Sequence, residues 1–278
     1  MSEIRLIIDS SSNDLTDSKR NLIVVPLTIS FGGKDYLDNE DLDMQDYLQK
    51  MDENNVAGKT SCPSIKEWLE ALEGSEKAII VTMTSQLSGT YSSALQAKDM
   101  YLAKNPKSEI IVVDTRSAGP EMKIVLQGIE KILKNNVRWV DVDAAIAKMR
   151  TQTHLLFALQ SLHNLSLNGR VSPALAKVAK MLHIKLIGTA SKEGKLEPLA
   201  KLRGMKRVNL EMVKEMKKLN YQGGQVIIDY CQNEDEAEKL KDKILAAFPD
   251  ADITLQPMHG LCSFYAEKGG LMVGFNEK

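Results

Sequence analysis

The sequence predicts an α/β protein in which a parallel sheet is followed by a mixed sheet of shorter strands. Continuous apolar runs alternate with long helical segments in the first half, whereas shorter strands follow at closer intervals in the second half. Strands that read as continuous apolar runs are typical of a parallel sheet covered by helices on both faces. The chain, at 278 residues, is longer than most single domains, so we expect two domains, covering residues 1–152 and 153–278.

Four strands and five helices are predicted in the first half. The strands are Ile4–Ile8, Leu22–Leu27, Ile79–Met83 and Ile110–Val113, and the helices lie near 44–51, 64–73, 92–103, 120–134 and 140–150. Three of these strands run into loops rich in hydroxyl groups: Asp9–Ser12, Thr84–Ser88 and Asp114–Ser117. Because ligands of such sheets bind beyond the carboxyl ends of the strands, we expect a binding site at these loops.

The second half predicts a mixed sheet with helices on one face. Its six strands are Leu155–Leu159, Ile184–Gly188, Leu196–Leu202, Val226–Tyr230, Ile253–Gln256 and Leu271–Phe275, with helices near 173–182, 204–218 and 234–247. Only a short polar segment around Lys192–Gly194 separates the second strand from the third, which predicts a β-hairpin.

The stretch Ser85–Ser93 has the composition of an anion-binding turn. It follows an apolar run and places hydroxyl groups around Gly89, just before a predicted helix. The first N–H groups of a helix have no partner within the helix and favour negative charge. A second hydroxyl pair, Thr60 and Ser61, precedes Pro63 and another predicted helix. Ser and Thr are also common helix N-caps, so a capping role remains an alternative for both stretches.

Composition excludes several classes of function. A formal net charge of −1 gives no electrostatic basis for nucleic-acid binding. No run of about 18 apolar residues is present, and the N-terminus passes directly into a strand, so we expect a cytoplasmic protein without a transmembrane segment. The spacing of the cysteines indicates free thiols and that of the histidines gives no metal site; these residues are Cys62, Cys231, Cys262, His154, His163, His183 and His259.

Nucleotide binding and serine hydrolase chemistry are disfavoured by motif spacing. Gly58-Lys59-Thr60 resembles the end of a phosphate-binding loop, but Glu53 stands where the first glycine is required. The chain has no G-x-G-x-x-G motif and no G-x-S-x-G elbow. The serine-rich loops therefore indicate binding rather than nucleophilic catalysis.

Five blocks along the chain together resemble the DegV family. They are Asp9-Ser10-Ser11-Ser12-Asn13-Asp14-Leu15, Thr60-Ser61-Cys62-Pro63-Ser64, Leu87-Ser88-Gly89-Thr90-Tyr91, Leu165-Ser166-Leu167-Asn168-Gly169-Arg170-Val171-Ser172 and Gly269-Gly270-Leu271-Met272-Val273-Gly274-Phe275. They occur in the family's order over nearly the whole chain. The resemblance implies a two-domain DegV-like fold, with a three-layer α/β/α domain and a second domain built on a mixed six-strand sheet.

The resemblance also implies a function. Members of the family are bacterial proteins that hold one long-chain fatty acid in a tunnel between the domains. In known systems they present its carboxylate to a separate ATP-binding kinase subunit, which makes an acyl phosphate for phospholipid synthesis. By this resemblance the chain is a lipid carrier and not itself an enzyme, with the fatty acid as its ligand, no cofactor, and transient membrane contact during lipid transfer.

Site residues follow from the matching blocks. Thr60 and Ser88 match the hydroxyls that bind the carboxylate, with Ser61, Gly89 and Thr90 around them, and Arg170 matches the arginine at the site entrance. A nearby guanidinium favours the ionised head group. Where the family usually has a histidine near the carboxylate, this chain has Tyr265, whose phenol donates a hydrogen bond but carries no positive charge at neutral pH.

Two further features leave alternatives open. His259, where the family commonly has glycine, is either a replacement for the lost imidazole or a structural residue at a strand edge. A basic cluster is either a docking surface for the kinase subunit or a solvated helix start; it contains Lys201, Arg203, Lys206 and Arg207. Alternatives to the kinase-linked carrier are a lipid sensor or store, and a small-substrate transferase or hydrolase acting from the Ser88 loop.

Overall fold

Contacts along the chain form two compact units. The computed structural model describes residues 4–53, 58–172, 175 and 184–277. One unit holds Met1–Ala118, Glu193–Lys195 and His259–Leu261, and the other holds Gly119–Lys192, Leu196–Met258 and Cys262–Lys278. The segment 119–152, which the sequence analysis assigned to the first domain, lies in the second unit.

The first unit contains seven strands and three helices among the described residues. In chain order these are β1 (Arg5–Asp9), β2 (Leu22–Val25), β3 (Thr28–Phe31), β4 (Lys34–Leu37), α1 (Met44–Glu53), β5 (Lys59–Ser61), α2 (Ile65–Leu72), β6 (Lys77–Thr82), α3 (Thr90–Lys104) and β7 (Glu109–Asp114). A single turn of 3-10 helix follows β1 at Ser10–Ser12.

A four-strand parallel sheet in the order β2-β1-β6-β7 forms the centre of this unit, and its four strands are the ones predicted from the sequence. The two central strands, β1 and β6, are almost fully buried, which explains their continuous apolar sequences. Trp68 and Leu72 of α2 and Ala94 and Ala97 of α3 pack with strand residues in one core cluster. Helix α3 begins after the loop that leaves β6.

A small antiparallel sheet in the order β4-β3-β5 was not predicted. Its strands are only three or four residues long, too short for a periodicity signal. Phe31, Tyr36 and Tyr47 stabilise it through ring contacts with centroid distances of 4.5 to 5.5 Å, which tie the β3–β4 hairpin to α1. Thr60 and Ser61 therefore lie in strand β5, and the expected turn before the helix is wrong at these two positions.

The remaining elements follow from residue 120 onward. In chain order they are α4 (Pro120–Lys134), α5 (Trp139–Arg150), β8 (Thr153–Leu159), α6 (His163–Leu167), β9 (Ile184–Ala190), β10 (Leu196–Arg203), α7 (Met205–Lys218), β11 (Gly224–Tyr230), α8 (Glu234–Ala247), β12 (Ala251–Pro257), α9 (Gly260–Ala266) and β13 (Leu271–Asn276). The helix predicted near 173–182 falls outside the described residues, apart from residue 175.

The second unit is built on a mixed six-strand sheet in the order β10-β9-β8-β13-β11-β12. All six predicted strands are present, and β9 pairs with β10 in the predicted antiparallel hairpin. Residues of α7 and α8, including Met212 and Leu240, pack with Val273 and Phe275 of β13 on one face. The start of α4 lies against Gly274, on the other face of the same strand. The prediction of helices on one face is therefore wrong, because α4 was assigned to the first domain.

Candidate functional site

The loop from β6 to α3 forms a compact cluster of hydroxyl groups in the first unit. Ser88 Oγ lies 2.8 Å from Thr90 Oγ1, and Thr90 N donates to Ser88 Oγ over 3.3 Å. Gly89 is the N-cap of α3 and has no side chain to cap the helix. Ser88 therefore satisfies one of the first N–H groups of α3, while Gly89 leaves the helix start open on its exposed side.

The second hydroxyl block lies beside this loop. Thr60 pairs with Ile29 in the small antiparallel sheet, and the chain leaves β5 through Cys62. A Cβ atom built on Gly89 would lie only 3.3 Å from Cys62 Sγ, so the thiol lies beside Gly89. The blocks Thr60–Ser61 and Ser88–Thr90, which are separated in sequence, thus adjoin within the first unit.

The three polar loops beyond β1, β6 and β7 are joined by hydrogen bonds. Met83 N donates to Asp9 Oδ2 over 2.6 Å, Thr84 N donates to Ser117 O over 2.8 Å, and Ser85 N donates to Asp114 Oδ1 over 3.3 Å. These loops follow parallel strands and meet at the carboxyl edge of the sheet, where the sequence analysis expected a binding site.

Asp9 is the buried acid at the centre of this edge. Its side chain accepts from Ser11 N over 3.0 Å, from Ser11 Oγ and from Met83 N. Burial raises the pKa of the Asp9 carboxyl to about 6, although the hydrogen bonds from Ser11 and Met83 favour the ionised form. Asp9 and the hydroxyl of Ser11, both without solvent exposure, hold the loops together rather than face a ligand.

Titration of Asp9 gives a testable dependence of stability on pH. The folded state binds this proton more tightly than an exposed aspartate with its pKa of 3.8, so the free energy of unfolding falls as pH rises from about 4 to about 6. The expected contribution is on the order of 3 kcal/mol, present below this interval and lost above it. Urea unfolding of the wild type and Asp9→Asn between pH 4 and 7 measures it.

In that experiment the difference in unfolding free energy between the wild type and Asp9→Asn is expected to change across this pH interval. Asp143→Asn, which alters an exposed aspartate, is the control and should leave the wild-type profile unchanged. Parallel profiles for the wild type and Asp9→Asn would contradict the assignment of the raised pKa to Asp9.

His259 has a structural partner in the first unit. Its Nδ1 atom lies 2.6 Å from Oδ1 of Asp38, whose side chain is fully buried. Asp38 Oδ2 also accepts from Leu261 N over 3.1 Å, and His259 N donates to Asn13 Oδ1 over 3.0 Å. These contacts favour the structural alternative for His259, and no sequence signal pointed to Asp38 as its partner.

Arg170 and Tyr265 belong to the second unit, where Asn164 connects the segments that carry them. Asn164 Nδ2 donates to Phe264 O over 2.8 Å, which joins α6 to α9. Arg170 follows α6 in a turn closed by Arg170 N donating to Leu165 O over 2.8 Å, and its Nη1 donates to Asn168 O. Arg170 and Tyr265 are both half-buried.

Glu267 binds the start of α6. Its Oε1 atom accepts from Asn164 N, in the first turn of α6, over 3.1 Å. A carboxylate at this place satisfies a helix N–H group and is favoured by the helix dipole. Glu267 lies in the turn after α9 and adopts φ +54°, in the left-handed region.

The basic cluster expected to dock a partner is exposed in the structure. Arg203 ends β10, and Lys206 and Arg207 lie in the first turn of α7. All three side chains are exposed, as is Lys201. Cations at a helix start are disfavoured by the helix dipole, so helix stability does not explain this cluster.

The structure thus brings Ser88, Gly89 and Thr90 together with the end of β5 in one unit, and connects the segments of Arg170 and Tyr265 in the other. Within the described ranges, no group of three or more His, Cys, Asp and Glu side chains is arranged to hold a metal ion. Over those same residues, no helix combines the length and the apolar character needed to cross a membrane.

Fold and site together define a two-unit α/β protein with a hydroxyl-rich, glycine-containing loop at the edge of a parallel sheet. The chain belongs to the DegV family, whose sequence profile, described as an uncharacterised protein family, matches residues 3–278. It is 38% identical over 251 residues to a DegV domain-containing protein of Streptococcus pyogenes serotype M1, a match that covers 90% of each chain. A DegV domain-containing protein of Streptococcus pneumoniae R6 is 37% identical over 253 residues, covering 91% of this chain and 90% of the relative.

Solved structures of relatives match the whole fold. A DegV family protein from Eubacterium eligens loaded with heptadecanoic acid has a TM-score of 0.95 and 35% identity, covering 99% of this chain and 100% of that one. The Streptococcus pneumoniae fatty acid kinase (Fak) B3 protein loaded with linoleic acid has a TM-score of 0.94 and 35% identity over 100% of both chains. The DegV resemblance and the α/β fold with a parallel and a mixed sheet are therefore confirmed, and these relatives are fatty-acid-binding proteins.

Proposed function

We propose that this protein binds one long-chain fatty acid and holds its carboxylate with the residues identified from the sequence. These residues are Thr60, Ser61, Ser88, Gly89, Thr90, Arg170 and Tyr265. The observation that carries the proposal is that two relatives, 35% identical over nearly the whole chain, are loaded with heptadecanoic acid and linoleic acid. Both ligands combine a carboxylate with a long apolar chain.

The cradle in the first unit suits a carboxylate. Hydroxyls of Ser88 and Thr90 lie 2.8 Å apart at the open start of α3, where N–H groups favour negative charge. A carboxylate offers several acceptor sites and so accepts from more than one of these donors at once. Arg170 carries a planar, permanently charged guanidinium, a group that pairs well with a carboxylate.

Burial of the acyl chain would supply most of the affinity. A sixteen-carbon chain buries about 14 methylenes at roughly 0.8 kcal/mol each, which gives on the order of 11 kcal/mol before the cost of ordering. The sequence contains 13 methionines and few aromatic residues, and flexible thioether side chains suit chains of different shape. A tunnel between the domains remains a prediction from the family resemblance.

Tyr265 changes the electrostatics of the proposed site. A phenol in place of the family histidine donates one neutral hydrogen bond, which leaves Arg170 as the cation near the head group. Glu267, two residues later, binds the backbone of Asn164. Its carboxylate is therefore held at the start of α6, which limits the repulsion it exerts on a bound anion.

We further propose that the protein presents the carboxylate to a separate kinase subunit. The name of the Fak B3 relative supports this step, and the exposed cations of Arg203, Lys206 and Arg207 form a suitable docking surface. The second candidate is a lipid sensor or store that has no catalytic partner, which the Tyr265 substitution favours. Presentation of the carboxylate to the kinase would take place in the cytoplasm, and the protein would contact the membrane surface only transiently.

Mass spectrometry of the organic extract from freshly purified protein tests the binding function. We expect about one fatty acid per protein molecule, and none from a denatured and refolded control that has not been given lipid. The refolded protein should then take up added fatty acid. Empty protein that also refuses added fatty acids would refute the carrier, sensor and store alike, and would favour the transferase or hydrolase.

A second assay separates carrier from store. The loaded protein is incubated with ATP and a fatty acid kinase catalytic subunit, and acyl phosphate is trapped with hydroxylamine. Product that depends on both proteins supports the carrier, and its loss in a variant with Arg203, Lys206 and Arg207 changed to alanine supports the docking surface. Loaded protein that gives no product with the kinase supports the sensor or store.

A further inference from the structure

Trp68 occupies a place in the first unit that its packing alone does not explain. It lies on α2 with no solvent exposure, and its Nε1 atom donates to Ser93 Oγ over 3.0 Å. The indole therefore directs its one hydrogen-bond donor at the first turn of α3, the helix that begins at the proposed carboxylate cradle. Phenylalanine would fill similar space without this donor.

Ser93 also binds two residues of the cradle, Gly89 and Thr90. Its hydroxyl donates to Thr90 O over 3.0 Å, and its backbone N donates to Gly89 O over 2.9 Å. Thr90 in turn lies 2.8 Å from Ser88 through the two hydroxyl oxygens. One serine, oriented by Trp68, thus holds the carbonyl groups of the two residues that follow Ser88.

The same helix also fixes the second hydroxyl block. Ser64 caps α2 through a capping box, in which Ser64 N donates to Glu67 Oε2 over 2.6 Å and Glu67 N donates to Ser64 Oγ over 3.3 Å. Strand β5, with Thr60 and Ser61, enters this cap three residues earlier. Trp68 is the next residue after Glu67, so α2 is anchored to one block at its start and to the other through its indole.

We propose that Trp68 is a positioning residue that acts through Ser93 to hold the Ser88–Thr90 cradle beside the Thr60–Ser61 block for a fatty-acid carboxylate. This inference rests on the proposed function and extends it to a residue outside the family motif blocks. Donors to an anion bind well only when their geometry is held in advance. Removing the indole N–H leaves Ser93 free to rotate and loosens the cradle at Gly89 and Thr90.

The test compares a ligand that has the carboxylate with one that lacks its charge. Affinities of delipidated protein for palmitic acid and for methyl palmitate are measured for the wild type, Trp68→Phe, Ser93→Ala and the double variant. We expect Trp68→Phe to weaken binding of the acid about 3- to 10-fold and to leave binding of the ester within about twofold. Ser93→Ala should have the same two effects. The double variant should bind palmitic acid no more weakly than the single variant of lower affinity, because both substitutions remove the same hydrogen bond between Trp68 and Ser93.

Trp139→Phe is the matched control, since it removes the other tryptophan of the chain, which starts α5 in the second unit. It should change neither affinity. In this Trp139→Phe protein the emission of Trp68 is also expected to shift on binding the acid and to stay constant on binding the ester.

Three outcomes would overturn the inference. Equal losses for acid and ester would mean that Trp68 only stabilises the fold, and an unchanged affinity for the acid would exclude any role in the cradle. Ser93→Ala gives the same decision if Trp68→Phe does not fold. A wild-type protein that binds neither ligand would refute the proposed function and this inference together. If the wild type binds palmitic acid and Trp68→Phe binds it with the same affinity, only the positioning role is refuted.

Discussion

Replacing Arg170 by alanine is expected to lower the affinity for a long-chain fatty acid by about 10- to 100-fold at neutral pH. Hydrogen bonds between charged groups contribute about 1.5–3 kcal/mol, and a half-buried guanidinium is screened less than an exposed one. The loss is large because Tyr265 supplies no compensating positive charge. Titration of delipidated protein with palmitic acid measures the effect.

The nature of the contact is tested by two further variants. Arg170→Lys keeps the charge but loses the planar pair of donors, so its affinity should lie between those of the wild type and Arg170→Ala. Arg138→Ala is the control, because Arg138 is exposed and its guanidinium is bound to Asp141 over 2.7 Å. If Arg170→Ala and Arg138→Ala bind palmitic acid equally well, the role assigned to Arg170 is wrong.

Elements with strong local signals were predicted closely from the sequence. The helix expected at 234–247 is found at Glu234–Ala247, where three acidic residues occupy the first turn and favour the helix N-terminus. The helix expected at 120–134 is found at Pro120–Lys134, with proline at its start. In both cases the signals lie within the segment itself, so no knowledge of distant contacts was needed.

Elements that depend on distant contacts were missed. The small sheet β4-β3-β5 depends on Phe31 and Tyr36 packing against Tyr47 of α1. Helix α9 begins at Gly260, and its first turn is held by Asp38, which is 223 residues from Leu261 in sequence. At seven residues, the segment is too short for its helical spacing to stand out in the sequence. A sequence pattern cannot specify contacts between residues so far apart.

In the candidate site, too, some residues could be identified from the sequence and others could not. Ser88, Gly89 and Thr90 are identifiable because the strand, turn and helix that place them are consecutive. Trp68 is separated from Ser93 by 25 residues, and a buried tryptophan on a helix is ordinarily part of the core. Only the direction of its indole N–H, seen in the structure, distinguishes a positioning residue from a packing residue.

Changing Gly274 to alanine is expected to destabilise the second unit by about 2–4 kcal/mol. Gly274 lies in β13, which is paired on both sides with β8 and β11 and so cannot move aside. An alanine Cβ would lie 2.5 Å from Glu121 N and 2.7 Å from Pro120 O, in the first turn of α4. Overpacking against backbone cannot be relieved by a change of rotamer, and costs of 1–3 kcal/mol or more are typical of such sites.

Urea unfolding followed by Trp139 fluorescence, in a Trp68→Phe background, measures this effect in the unit that contains both Gly274 and α5. Gly74→Ala is the control for the cost of a methyl group on glycine, since Gly74 has φ +75° and nothing within 4 Å of its added Cβ. That variant should lose about 1–2 kcal/mol through backbone strain, in the first unit, and leave the Trp139 transition unchanged.

A Gly274→Ala protein with the wild-type midpoint would mean that α4 does not lie this close to the sheet. A loss of the expected size would establish that glycine is required in the last motif block because of the approach of α4, and not because of its own backbone conformation.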